Sequence, residues 1–97
     1  METLEFTYPA ARRPARRARV GVVASGDLEV LAVPRGDDRA TVHVTTSVDG
    51  FGAVWRAVLD TFFADTPLAV DLVVNDSGAT PGTVALRLAQ LKESATA

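Results

Sequence analysis

A chain of 97 residues with 47% hydrophobic and 23% charged side chains is long enough for one hydrophobic core and too apolar for disorder. It has no cysteine and a single histidine, which excludes disulfides, thiolate or multi-histidine metal sites and a cysteine nucleophile. The net charge of −2 is uneven: Arg12, Arg13, Arg16, Arg17 and Arg19 crowd into eight residues, and the remaining five basic and twelve acidic residues balance at −7.

Leu4, Phe6 and Tyr8 alternate with Thr3, Glu5 and Thr7, the pattern of a first strand with one buried face. Pro9 ends it, and Ala10 to Ala18 reads as a loop, because Pro14 interrupts any helix there. A second strand is predicted over Arg19–Ala24 and a third over Leu28–Val33, with Ser25-Gly26-Asp27 between them. Glycine takes positive φ without steric cost and aspartate tolerates it, so Gly26-Asp27 is expected to make a two-residue hairpin turn. Pro34 to Asp38 forms another turn before a fourth strand at about Thr41–Thr46. These three strands are expected to form an antiparallel meander. His43 lies in the alternating run Thr41-Val42-His43-Val44-Thr45, which makes it a solvent-facing strand residue rather than the centre of a catalytic triad.

Asp49 is the expected N-cap of the next element. Phe51, Val54, Trp55, Val58, Leu59, Phe62 and Phe63 then fall at i, i+3, i+4, i+7, i+8, i+11 and i+12, one unbroken helical face. The face holds the only tryptophan and three of the four phenylalanines, so it reads as the main core stripe. Asp65-Thr66-Pro67 stops the helix, and Val70, Leu72 and Val74 alternate with Asp71 and Asn75 as a fifth strand. After the loop Asn75 to Ala79, Thr80-Pro81 signals a helix start, with threonine as N-cap and proline at N1. Val84, Leu88 and Leu91 give this second helix its apolar stripe, and Glu93 to Ala97 are expected to fray. The order β-β-β-β-α-β-α predicts an α+β two-layer sandwich in which two amphipathic helices cover one face of a mostly antiparallel five-stranded sheet.

The usual catalytic motifs are missing: there is no glycine-rich phosphate loop, metal-ligand cluster or Gly-x-Ser-x-Gly elbow. Asp37-Asp38 and the pair Asp27/Glu29 read as solvated turn and edge charges, not as acid/base partners. The arginine-rich stretch reads first as a solvated loop, and second as a patch able to hold phosphates or steer an acidic partner. Nucleic-acid binding is disfavoured, because no aromatic residue interleaves with the arginines and the domain is acidic overall. No apolar run is long enough to span a membrane and the first residues lack the order of a signal peptide, so a cytoplasmic location is expected.

One feature stands apart. In Val22-Val23-Ala24-Ser25-Gly26-Asp27-Leu28-Glu29-Val30-Leu31 a single serine sits at the tip of an otherwise hydrophobic hairpin. Gly26 removes the side chain that would obstruct access to its hydroxyl. Taken alone, serine beside glycine is ordinary turn chemistry. Yet Ser25 to Val30, Thr46-Ser47-Val48-Asp49-Gly50-Phe51-Gly52 and Asn75-Asp76-Ser77-Gly78-Ala79-Thr80-Pro81-Gly82 together resemble the delta subunit of malonate decarboxylase, an acyl carrier family, from Leu4 to Leu91. The resemblance implies a single acyl-carrier domain over residues 1–97 with no catalytic residue of its own. It further implies that Ser25, flanked by Gly26 and Asp27, carries a phosphodiester-linked 2'-(5''-triphosphoribosyl)-3'-dephospho-coenzyme A, whose thiol holds acetyl or malonyl. The implied partners are acyl transferase and decarboxylase subunits and a prosthetic-group transferase. Ser77 is the second choice of attachment site. The alternative to a carrier is a non-covalent scaffold or interaction domain of a multisubunit complex, in which Ser25 has no special part.

Overall fold

A computed structural model describes residues 1–97. The elements follow the predicted order: β1 (Glu2–Pro9), β2 (Ala18–Gly21), β3 (Leu28–Pro34), β4 (Arg39–Thr46), α1 (Gly52–Asp65), β5 (Val70–Asp76) and α2 (Pro81–Thr96). The five strands form one sheet in the order β1-β4-β5-β3-β2. Every pairing is antiparallel except β4 with β5. The fold is therefore the α+β arrangement expected, with a mixed sheet.

The expected meander of the second, third and fourth strands is not formed. β2 and β3 do pair, but β5 lies between β3 and β4. The reason is in the burial pattern of β5. Val70, Leu72 and Val74 are each no more than 1% exposed, a condition an edge strand would not meet. α1 carries the chain back so that β5 enters parallel to β4 and takes partners on both sides. The Pro34–Asp38 turn consequently arches over the start of β5, and Arg35 N–H donates to Ala69 O at 2.9 Å.

Alternation sorts the sheet into two faces. Phe6, Leu28, Val30, Val42, Val44, Leu72 and Val74 face the helices. They join Trp55, Leu59 and Phe63 of α1 and Val84, Leu88 and Leu91 of α2 in one core cluster. The other face is open. Glu5, His43, Val73, Leu31 and Arg19 cross all five strands in a single register row, with His43 Nδ1 3.2 Å from Glu5 Oε1. His43 is exposed there, as the alternation predicts.

Three boundaries differ from expectation. β2 stops at Gly21 instead of Ala24, because Gly21 turns with φ of 78° and packs against the carbonyl of Leu28. A Cβ at Gly21 would stand 2.0 Å from that oxygen. α1 begins at Gly52 with Phe51 at the N-cap position and no side-chain cap. Asp49 instead meets the amino terminus, at 3.2 Å. The end of α2 does not fray: Ala95 is fully buried, and its carbonyl accepts the Ala15 N–H at 2.7 Å. Arg16 donates to the carbonyl of Ala97 at 2.9 Å, placing a cation on the negative end of the helix dipole.

Candidate functional site

The shortened β2 converts the expected two-residue hairpin into a six-residue loop, Val22 to Asp27, that projects from one end of the sheet. Within it Asp27 N–H donates to Ala24 O at 2.9 Å, closing a four-residue turn with Ser25 and Gly26 at its centre. Gly26 has φ of 77° and no other residue but glycine in the chain has positive φ. That combination is a type II turn, which asks for glycine at its third position and leaves the second, here Ser25, at the corner. Ser25 is exposed, and the space where a Gly26 side chain would stand is empty to 4 Å.

The turn is fixed by its neighbours, and its hydroxyl takes no part in that fixing. Gly26 N–H donates to Ser77 O at 2.7 Å, and Ser77 N–H donates to Asp27 O at 2.9 Å. The half-buried Ser77 thus extends the β3–β5 ladder by one step and clamps the loop from below. Asp27 closes the other side. Its carboxylate accepts the Leu28 N–H at 2.7 Å and both Nε (3.0 Å) and Nη2 of Arg87 on α2. The Arg87 guanidinium, and after it the Leu28 N–H, hold the Asp27 carboxyl below the usual carboxylate range. Of the three residues in the expected attachment motif, Ser25 and Gly26 face solvent and Asp27 braces the loop.

A second knot lies beside the first. Asp76, 7% exposed, accepts the Thr46 hydroxyl at 2.8 Å and the Gly78 and Ala79 N–H groups at 3.2 and 3.1 Å. Thr46 Oγ1 in turn accepts the Val48 N–H at 3.1 Å, and Thr80 caps α2 through the Thr83 N–H at 3.2 Å. The parallel pairing of β4 and β5 brings both strands to this end, so the three segments Ser25–Val30, Thr46–Gly52 and Asn75–Gly82 converge although the chain separates them. Both helices also start here. Between them opens a cleft of about 270 Å³, walled by Val48, Phe51, Val54, Trp55 and Val84, with Thr46 and Asp76 among its few polar lining residues.

Sequence reasoning singled out the serine and the glycine but missed Arg87, Asp76 and Thr46 as their supports. Asp76 left a signal, since Asp-Ser-Gly ahead of a helix start is Asx-turn chemistry. Arg87 left none, because only the packing of α2 against the β2–β3 loop reveals its partner. The arginine-rich stretch is not a free loop. Ala11 and Arg12 N–H groups donate to Pro67 O, and Arg13 donates to the carbonyls of Arg35 and Asp37 at 2.8 and 2.9 Å. Arg12 and Arg13 lie beside Leu68 and Asp38, at the end of the sheet opposite Ser25.

These features define a two-layer α+β domain that presents one exposed serine on a backbone-clamped type II turn. The family model described as malonate decarboxylase delta subunit (MdcD) matches residues 15–95. A malonate decarboxylase acyl carrier protein of Pseudomonas savastanoi pv. phaseolicola is 47% identical over 91 residues, covering 93% of this chain and 92% of that protein. Its counterpart in Azotobacter vinelandii is 47% identical over 94 residues, covering 96% and 95%. A chain in the crystal structure of a Pseudomonas malonate decarboxylase hetero-tetramer in complex with malonate superposes with a TM-score of 0.91 at 44% identity, over 97% of this chain and 98% of that one. The chain belongs to the malonate decarboxylase delta-subunit family, the acyl carrier proteins of that enzyme.

Proposed function

We propose that Ser25 is the covalent attachment point of 2'-(5''-triphosphoribosyl)-3'-dephospho-coenzyme A, and that the chain presents acyl groups on it to the other subunits of a malonate decarboxylase. The observation that carries this reading is the convergence of the three resembling segments at the end of the sheet where Ser25 stands exposed at the corner of a clamped turn beside Gly26. The serine end fits such a group on its own geometry. Ser25 stands at an open corner, Gly26 leaves room beside it, and the Asp27 carboxylate is turned away toward Arg87 and so does not face an incoming phosphodiester. When bound, the group supplies a thiol that holds acetyl or malonyl as a thioester.

The chain's own residues contribute position. The bonds from Gly26 and Asp27 to Ser77 and Arg87 hold the base of the arm still, so the distal end samples a restricted volume and meets each partner at high effective concentration. Partners of this kind, an acyl transferase and a decarboxylase subunit, accord with the relative found in a hetero-tetramer. A prosthetic-group transferase would load the serine, in the cytoplasm. No helix is long and apolar enough to cross a membrane. Under this reading catalysis belongs to the partners, and Gly26 and Asp27 serve attachment by shaping the turn.

The test is intact-mass measurement of the protein from host cells degrading malonate, with peptide mapping. The expected result is an increment equal to the coenzyme A derivative on the peptide containing Ser25, absent from Ser25→Ala. An increment on Ser77, or none at all, overturns the assignment.

A further inference from the structure

The cleft between the two helix starts is a mainly apolar cavity at the serine end of the sheet. It is not filled by any side chain, although Val48, Phe51 and Val54 are 38%, 50% and 38% exposed at its rim. Its wall continues directly from the serine loop: Gly26 bonds to Ser77, and the next residue, Gly78, lines the cleft. With consecutive Cα atoms 3.8 Å apart and the Gly26–Ser77 bond at 2.7 Å, Ser25 lies on the order of 10 Å from the cleft wall. An arm anchored at Ser25 easily spans that distance.

Size and charge narrow what the cleft accepts. At about 270 Å³ it falls just below the range of small-molecule pockets, roughly 300–1,000 Å³, a size suited to a short acyl thioester with its adjoining methylenes. No lysine, arginine or histidine lines it. The starts of α1 and α2 each bring about half a positive charge, and the Asp76 carboxylate brings a full negative one, so the local charge is close to balanced. An ionised carboxylate entering these apolar walls would lose its hydration without a cationic partner. A neutral acetyl group would not.

Resting on the carrier reading above, we infer that this cleft shelters the acetyl thioester end of the arm and leaves the malonyl form outside. The two forms of the carrier then differ in exposure: the acetyl form docks against its own domain, and the malonyl form extends toward a partner. Trp55, the only tryptophan, is 6% exposed and lines the cleft, which makes it an internal reporter.

The test uses full-length protein whose loading is first verified by intact mass, prepared in unacylated, acetylated and malonylated forms. Trp55 fluorescence and the methyl signals of Val48, Val54 and Val84 are then compared. The expected result is a shift on acetylation, little change on malonylation, and several-fold slower hydrolysis of the acetyl thioester than in Val54→Asp. Val54 is a rim residue, so its substitution leaves the core intact. Loaded, acetylated protein with unmoved cleft signals overturns the cleft inference while the carrier reading stands. Equal shifts in both acylated forms overturn the acetyl preference, and a chain that takes up no arm at Ser25 overturns both readings.

Discussion

Asp27 and Arg87 are sixty residues apart in sequence and joined side by side in space, the guanidinium donating from Nε and Nη2 to the two carboxylate oxygens. The pair ties the serine loop to the middle of α2. A planar, two-point grip of this kind is specific to arginine. Arg87→Ala is therefore expected to loosen the loop and raise the amide exchange rates of Gly26 and Ser77 several-fold. Arg87→Lys, a single point charge, should restore only part of the protection. Hydrogen exchange followed by NMR measures both.

Acid should weaken the fold in a defined window. Asp27 is held low by Arg87, Asp71 by the Thr41 hydroxyl and then Arg35, and Asp37 is lowered by Arg35 to about 2. A carboxyl whose folded pKa lies below its unfolded value of about 3.9 contributes stability that is complete above the unfolded value. That contribution is lost as the pH falls through the folded one. Urea midpoints should accordingly stay level from pH 7 to about 5 as far as these groups are concerned and fall between about 4 and 2. Asp27→Asn should fall less steeply over that window, from a lower starting point.

Gly21 and Gly26 both have positive φ, but they should not respond alike to substitution. Gly26→Ala meets open space and carries only the conformational penalty, about 1 kcal/mol. Gly21→Ala places a methyl group against the Leu28 carbonyl, so the backbone of β2 and β3 must shift and the loss should be larger. Equilibrium urea unfolding of the two variants ranks them.

The two faces of β5 give a matched pair. Leu72 is fully buried, and Leu72→Ala is expected to cost about 2–5 kcal/mol. Val73, its neighbour on the open face, is 36% exposed, and Val73→Ala should stay within about 1 kcal/mol. Thermal and urea melts of both variants check the assignment of faces.

Arg12 and Arg13 sit at the opposite end of the sheet from Ser25. Replacing both with glutamine should leave the extent of loading at Ser25 unchanged in intact-mass measurements. Arg16→Ala, which removes the cation at the end of α2, should lower stability by about 0.3–1 kcal/mol with loading again unaltered.

Local pattern disclosed the presence of every element of this fold: β1, β4 and β5 alternate, β2 and β3 are apolar runs set off by turn residues, and both helices carry an apolar stripe. Thr80-Pro81 set the start of α2 to the residue. Pairing was less legible. The short Pro34–Asp38 connection favours a β3–β4 hairpin, and nothing local in the sequence announces that β5 will insert there. That outcome gives β5 a partner along each edge and covers Val70, Leu72 and Val74 with the helices, a property of the whole sheet. At the site, Ser25 and Gly26 were visible because turn chemistry is local. The end of β2 at Gly21 was hidden by Val22-Val23-Ala24, which continue the strand pattern but stand exposed. The grip of Arg87 on Asp27 depended on two segments meeting and could not be read from either.

The sheet also separates the molecule into two ends with different tolerances. β5 spans seven residues, roughly 20 Å of extended chain, between the knot around Asp76 and the stitched segments around Arg12 and Asp38. A fluorophore, purification tag or surface tether grafted at the exposed Gly36 would sit on the remote end, where no side chain crowds it within 4 Å. The protein could then be immobilised or labelled with its serine corner still facing outward, ready for whatever loads or reads it.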